Sequence, residues 1–142
     1  MSTKILFLDI DGVVNCATTP QRFDRFIGID PYMALLVGRI IQATDAEIVL
    51  SSSWRYHKDS QEEVRKRVLP FMDVTPMHDG LSSRGTEIKE WLDLHPEVTK
   101  YAILDDNGDM LKDQMPNFFR TLWSTGLTEE IVNQVIAHLN TP

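Results

Sequence analysis

The chain has 142 residues, of which 42% are hydrophobic and 25% charged. That length and composition suit a single domain, residues 1–142, with a real core, and exclude extended disorder. The net charge of −7 argues against broad contact with duplex nucleic acid, which a basic face serves. It leaves room for a local basic pocket drawn from residues such as Arg22, Arg25, Arg55 and Arg84.

The single cysteine, Cys16, excludes an intrachain disulfide. No apolar run approaches the roughly 20 residues of a membrane span, and no leader pattern follows Met1. The expectation is a cytoplasmic protein with no membrane partner.

In chain order, Ile5–Leu8 is a short, continuous apolar run and reads as a buried strand. It ends in Asp9-Ile10-Asp11-Gly12. Residues 15–30 are polar and irregular. Asp30 and Pro31 open a helix to about Thr44, with Leu35, Leu36, Ile40 and Ile41 at helical spacing. Glu47–Leu50 is a second buried strand, closed by Ser51-Ser52-Ser53.

Asp59 or Ser60, each with a glutamate three residues on, caps a helix that stops before Pro70. Phe71–Val74 reads as a short strand. Ser83 caps a helix from Arg84 to Leu94, with Ile88, Trp91 and Leu92 inward. Tyr101–Leu104 is a third clear strand, closed by Asp105-Asp106. Phe118–Leu122 is a further strand, and Thr128 caps a last helix to about Leu139 on which Ile131, Val135 and Leu139 share a face.

Strands alternating with helices define an α/β fold with a mainly parallel sheet, and such sheets bind ligands beyond the carboxyl ends of their strands. If the strands lie side by side, Asp9, Asp11, the serines, Asp105 and Asp106 converge at one edge. Clustered carboxylates repel: a unit-charge pair at about 4 Å costs roughly 4 kcal/mol at an effective dielectric near 20. A divalent cation between them removes that cost, and an all-oxygen donor set suits Mg²⁺. A carboxylate that attacks phosphorus, a second that moves the proton, a hydroxyl and a cation on the phosphoryl oxygens make a phosphoryl-transfer site. Asp9, Asp11, Ser52 and Arg84 are one such set.

FLDIDGVVN resembles the first motif of the haloacid dehalogenase (HAD) superfamily, IVLSSSW its second and YAILDD its fourth. The resemblance implies a Rossmann-like HAD fold with helices on both faces of the sheet. The combination of DIDGVVN, SSSWR, RGTEI and LDD is similar to small HAD phosphatase domains of nucleic-acid repair proteins, including polynucleotide kinase-phosphatases.

Carried over residue by residue, the resemblance makes Asp9 the nucleophile and a metal ligand. Asp11 becomes the general acid/base, with its backbone carbonyl on the metal. Ser52, or Ser51, binds the phosphate. Asp106 ligates the metal, and Asp105 ligates it or orients a basic residue. Gly12 permits the turn past Asp11, and Ser53 and Arg55 complete the expected substrate side.

The third motif departs from the family's lysine. Arg84-Gly85-Thr86 stands at a helix start, and Arg84 is the expected substitute, ahead of Lys89 and Lys58. Neither 12–50 nor 54–83 has room for a full cap domain, so a minimal cap and an open site are expected.

Blander readings stand beside these. Asp9 and Asp11 would fit a surface turn, and the serines a helix cap. A calcium loop fails at Val13. Asp109 reads as an exposed loop acid, Trp54 as core rather than a base-stacking platform, and Cys16 as a packed small side chain. The expected function is a Mg²⁺-dependent phosphomonoesterase acting on a nucleotide or nucleic-acid terminal phosphate through an aspartyl-phosphate. The alternatives are a small-metabolite phosphatase or a catalytically weak binding module.

Overall fold

The computed structural model describes residues 3–78 and 82–142. Strands β1 (Lys4–Leu8), β4 (Glu47–Leu50), β5 (Asp73–Val74), β6 (Lys100–Asp105) and β7 (Phe118–Arg120) form one sheet. Their order is β5-β4-β1-β6-β7, and all four pairings are parallel. The DxD strand therefore lies at the centre, with the serine strand on one side and the double-aspartate strand on the other.

Alternation along each strand explains the layers. Leu6, Leu8, Ile48, Leu50, Ala102 and Leu104 face one side. They pack under α1 (Pro31–Thr44) and α4 (Glu129–Asn140), and the same core takes in Val64 of α2 (Lys58–Arg67). Ile5, Phe7, Val49 and Ile103 face the other side and pack on Ile88 and Trp91 of α3 (Arg84–Asp93). Trp91 meets Phe7 edge-on, with ring centroids 5.5 Å apart. Helices thus cover both faces, as expected of this fold class.

Helix α1 begins where the sequence places it. Asp30 Oδ1 accepts from the amides of Tyr32 (2.9 Å) and Met33 (3.4 Å), and Pro31 fills the first position, where no amide donor is needed. Its buried face is Met33, Ala34, Leu36, Val37 and Ile40. Of the four apolar positions read at helical spacing, Leu35 is 64% exposed while its neighbour Leu36 is buried, since successive residues on a helix point about 100° apart.

Other departures are local. Helix α2 starts at Lys58 behind His57, with no side-chain cap. Neither expected cap, Asp59 or Ser60, takes that place; Ser60 instead donates to the carbonyls of Trp54 (2.7 Å) and His57 (2.9 Å). The expected strand over 71–74 shortens to Asp73–Val74, with Phe71 buried in the core. The expected strand over 118–122 ends at Arg120. The segment 15–30 is not wholly irregular: β2 (Arg22–Phe23) and β3 (Phe26–Ile27) form an antiparallel hairpin.

Candidate active site

The sheet ladder runs one residue past the strands and lines up the chemistry. The amides of Thr75, Ser51, Asp9 and Thr121 donate to Leu50, Leu8, Leu104 and Asp105 carbonyls, each at 3.0 Å. With Leu8 opposite both Leu50 and Leu104, Ser51, Asp9 and Asp105 become neighbours on one rim. Asp9, Asp105 and Asp106 each bring a carboxylate oxygen within 4.8 Å of the other two.

Residues 9–15 turn sharply back into the core. The amides of Val13 and Val14 both donate to Ile10 carbonyl (3.0 and 2.8 Å), and Ile10, Val13 and Val14 are buried. Gly12 has φ +82°, a conformation that suits glycine. A methyl built there would fall on the Asp106 carboxylate, so Gly12 also clears the space that lets Asp106 join Asp9.

Later segments brace this turn. Thr121 Oγ1 donates to Gly12 carbonyl (2.6 Å), and Leu127 amide donates to Val13 carbonyl (2.9 Å). Ala17 amide donates to Trp123 carbonyl (2.9 Å).

Asp11 is exposed, and its carboxylate stands apart from the three-carboxylate cluster. Asn15 Nδ2 donates to its Oδ1 (3.0 Å) and Trp54 Nε1 to its Oδ2 (3.1 Å). Asn15 is itself buried and clamped, donating to Gly28 carbonyl (2.9 Å) and accepting from Gly12 amide (2.9 Å). Neither role was read from the sequence. The Asp11-to-Asn15 spacing of four was the available signal for one; Trp54, read as core, is indeed 8% exposed, but its indole nitrogen reaches the site.

The serines divide their work. Ser52 Oγ accepts from Trp54 amide (3.1 Å), capping a 3₁₀ turn over Ser53–Tyr56. Ser51 Oγ is buried and has no hydrogen-bond partner. Ser53 is exposed and lines the same cleft as Asp11.

Arg55, expected on the substrate side, is placed otherwise: it is 1% exposed. Its guanidinium donates to the carbonyls of Ser51 (3.1 Å), Ser52 (2.8 Å) and Pro76 (3.3 Å) and pairs with Glu87 (2.8 Å). It braces the serine loop from behind. Burying a guanidinium is tolerable only with such partners.

Arg84 does reach the carboxylates. Its Nη1 lies 3.2 Å from Asp105 and 3.4 Å from Asp9, and its Nε 3.9 Å from Glu87. Lys89, the alternative, pairs with Asp93 on the exposed face of α3 (2.8 Å). Two contacts seat Arg84. Ser83 Oγ caps the helix at Thr86 amide (3.1 Å), and Asp109 accepts from the Arg84 amide (3.0 Å). Asp109 is thus a helix anchor. A side chain at Gly85 would collide with the backbone at Met110 and Leu111, so glycine lets α3 close onto the loop after Asp106.

Electrostatics follow from burial. Burial pushes the Asp9 carboxyl upward, against the pull of Arg84. Burial and then Asp9 push Asp105 up to about 8. For Arg84, burial opposes the charge, but Asp9 and Asp105 outweigh it and raise its pKa. One arginine does not neutralise three neighbouring carboxylates. An all-oxygen donor set of this size and charge fits Mg²⁺, which takes one or two carboxylates and keeps several waters. Asp9, Asp105 and Asp106 are the side chains that fit it.

A parallel sheet with DxD on its central strand, a serine at the next strand end and paired aspartates at the third defines a HAD-type domain of the hydrolase and phosphatase superfamily, whose members generally use Mg²⁺. The family model for the HAD domain in Swiss Army Knife RNA repair proteins matches residues 5–132, and the chain belongs to that family. Neither a curated protein nor a solved structure shows significant similarity to it. Among the described residues no helix is long and apolar enough to cross a membrane.

Proposed function

We propose that the chain is a Mg²⁺-dependent phosphomonoesterase that works through an Asp9-phosphate on a nucleotide or nucleic-acid terminal phosphate. The observation that carries this reading is the separation of two carboxylates only two residues apart. Asp9 is fixed among Asp105, Asp106 and Arg84, whereas Asp11 is held by Asn15 and Trp54 at the mouth of a cleft. A nucleophile belongs beside charge-stabilising groups, and an acid/base belongs where the leaving group departs.

In the first step an Asp9 carboxylate oxygen bonds to phosphorus, the bond to the leaving oxygen breaks, and Asp11 gives that oxygen its proton. In the second, Asp11 takes a proton from water as the water oxygen bonds to phosphorus. Phosphate leaves, and Asp9 is regenerated. Arg84 holds phosphoryl oxygens through its planar donors. Ser51, whose hydroxyl is uncommitted beside Asp9, donates to another, while Ser52 serves as the cap. Arg55 keeps the Ser51 and Ser52 carbonyls turned inward, away from the phosphate. Asp9, Asp105 and Asp106 would hold Mg²⁺, which would supply positive charge to the phosphoryl group.

The test is hydrolysis with and without EDTA by wild type, Asp9→Asn and Asp11→Asn. Both variants are expected to lose most activity, and EDTA all of it. Turnover retained by Asp9→Asn would refute the covalent route. Competition among 3′-phosphorylated and 5′-phosphorylated oligonucleotides and a nucleoside monophosphate then ranks the substrates. The net charge of −7 favours short substrates over long ones, and a small phosphate ester is the second reading.

A further inference from the structure

The cleft that opens beside Asp11 has walls that phosphoryl chemistry does not require. Its volume is about 720 Å³, within the range of small-ligand sites, and Phe23, Phe26 and Trp54 line it with Asp24 and Asp59. Phe23 and Phe26 are direct partners across the hairpin, so both side chains leave the ribbon on the same face. Phe23 stacks on Trp54, with centroids 5.4 Å apart and planes 28° from parallel. Trp54 in turn holds Asp11.

Phe26 is 63% exposed. It is absent from both core clusters, yet it lines the cleft that holds Asp11. Asp11 lines the same cleft, so the group it releases lies there. The polar side chains available to that group include two carboxylates, which accept N–H donors and repel a second phosphate.

We propose that Phe26, backed by Phe23 and Trp54, is a stacking site for the nucleobase next to the scissile phosphate, with the N–H edge of the base turned to Asp24 and Asp59. This assignment rests on the reading of Asp9 and Asp11 as the reacting pair. Aromatic rings stack on any base, and carboxylates favour bases rich in edge donors, of which guanine is the clearest. A sugar phosphate would also lie on an aromatic ring. Membership in a family of RNA repair domains favours the base, and the sugar becomes an outcome of the test.

Guanosine 3′-monophosphate, guanosine 5′-monophosphate and ribose 5-phosphate are compared in two assays: kcat/KM for wild type, and calorimetric binding to Asp9→Asn in Mg²⁺. At least one nucleotide is expected to be preferred over ribose 5-phosphate by about tenfold. Phe26→Ala should cut that preference about tenfold in both assays, and Phe26→Trp should keep it, since stacking contributes on that scale.

A preference unchanged in Phe26→Ala, or one for ribose 5-phosphate, overturns the stacking site while leaving the phosphatase reading intact. If no phosphate is released but a nucleotide binds and Phe26→Ala weakens it, the reaction fails and the site stands. If neither nucleotide binds, the site fails.

Discussion

The rim of the central sheet and the 22–27 hairpin sit side by side over one site but are built in opposite ways. At the rim, Asp9 and Asp105 are 7% and 1% exposed, fixed by strand register and by bonds from distant segments. The hairpin has two strands of two residues, a left-handed Asp24 at φ 56° and a solvent-facing Phe26. A group that must meet phosphorus within tenths of an ångström needs an over-determined backbone. A surface that distinguishes one leaving group from another works on a thin appendage. On the proposed reading, chemistry and selectivity are separable, with Trp54 as the joint between them.

Asp9→Asn tests the rigid side most severely. It should cut turnover by about 10⁴-fold or more in a Mg²⁺-supported assay with folding unchanged by circular dichroism, since the proposed nucleophile is lost. Arg55→Ala should follow, at about 3–5 kcal/mol of stability in urea unfolding, because it removes the close partner of the buried Glu87 carboxylate and leaves it only the 3.9 Å contact with Arg84. A loss under 1 kcal/mol would show that the serine loop holds itself.

Trp54→Phe keeps an aromatic ring against Phe23 but removes the donor to Asp11. It should lower kcat about tenfold, as for one hydrogen bond to a charged group, with a smaller change in KM. Equal changes in both would move Trp54 wholly to the binding side.

The pH response sharpens the rim. Asp105 keeps its proton to about pH 8 when folded but loses it near 3.9 when unfolded. The folded chain therefore binds more protons between these values, and stability falls as pH rises. In EDTA, Tm should be higher at pH 5 than at pH 8.5, and Mg²⁺ should restore it at pH 8.5. A metal-free Tm that rises over this interval would contradict the burial of these carboxylates. Arg25→Ala, at the exposed hairpin turn, should change stability by less than about 0.5 kcal/mol; a larger loss would mean that the appendage is part of the core.

The same contrast explains what could be read in advance. The strands were legible because apolar runs of four or five residues end abruptly in aspartate or serine, and parallel pairing then brings those ends together without further information. Arg84 was legible because a capping serine and a glycine mark its helix start. Arg55 was not: a lone arginine defaults to the surface, and its burial depends on Glu87, 32 residues away. The hairpin escaped because two-residue strands are too short for alternation to show. Its meaning emerges only when Phe23 and Phe26 are seen opposite each other. Asn15 lay in plain view, but its task is set by Gly28 and Gly12 carbonyl and amide groups that the linear pattern does not bring together.

The braces on the 9–15 turn impose an order of events on the newborn chain. β1 leaves the ribosome before β6, one of its two neighbours in the sheet, and the turn after it leans on Thr121 and Leu127. Until those later residues emerge, Asp9 has a place in the sequence but no fixed address. A chain made only as far as Arg120 therefore lacks the bonds that hold this turn, and the carboxylate rim is set once Thr121 and Leu127 have followed.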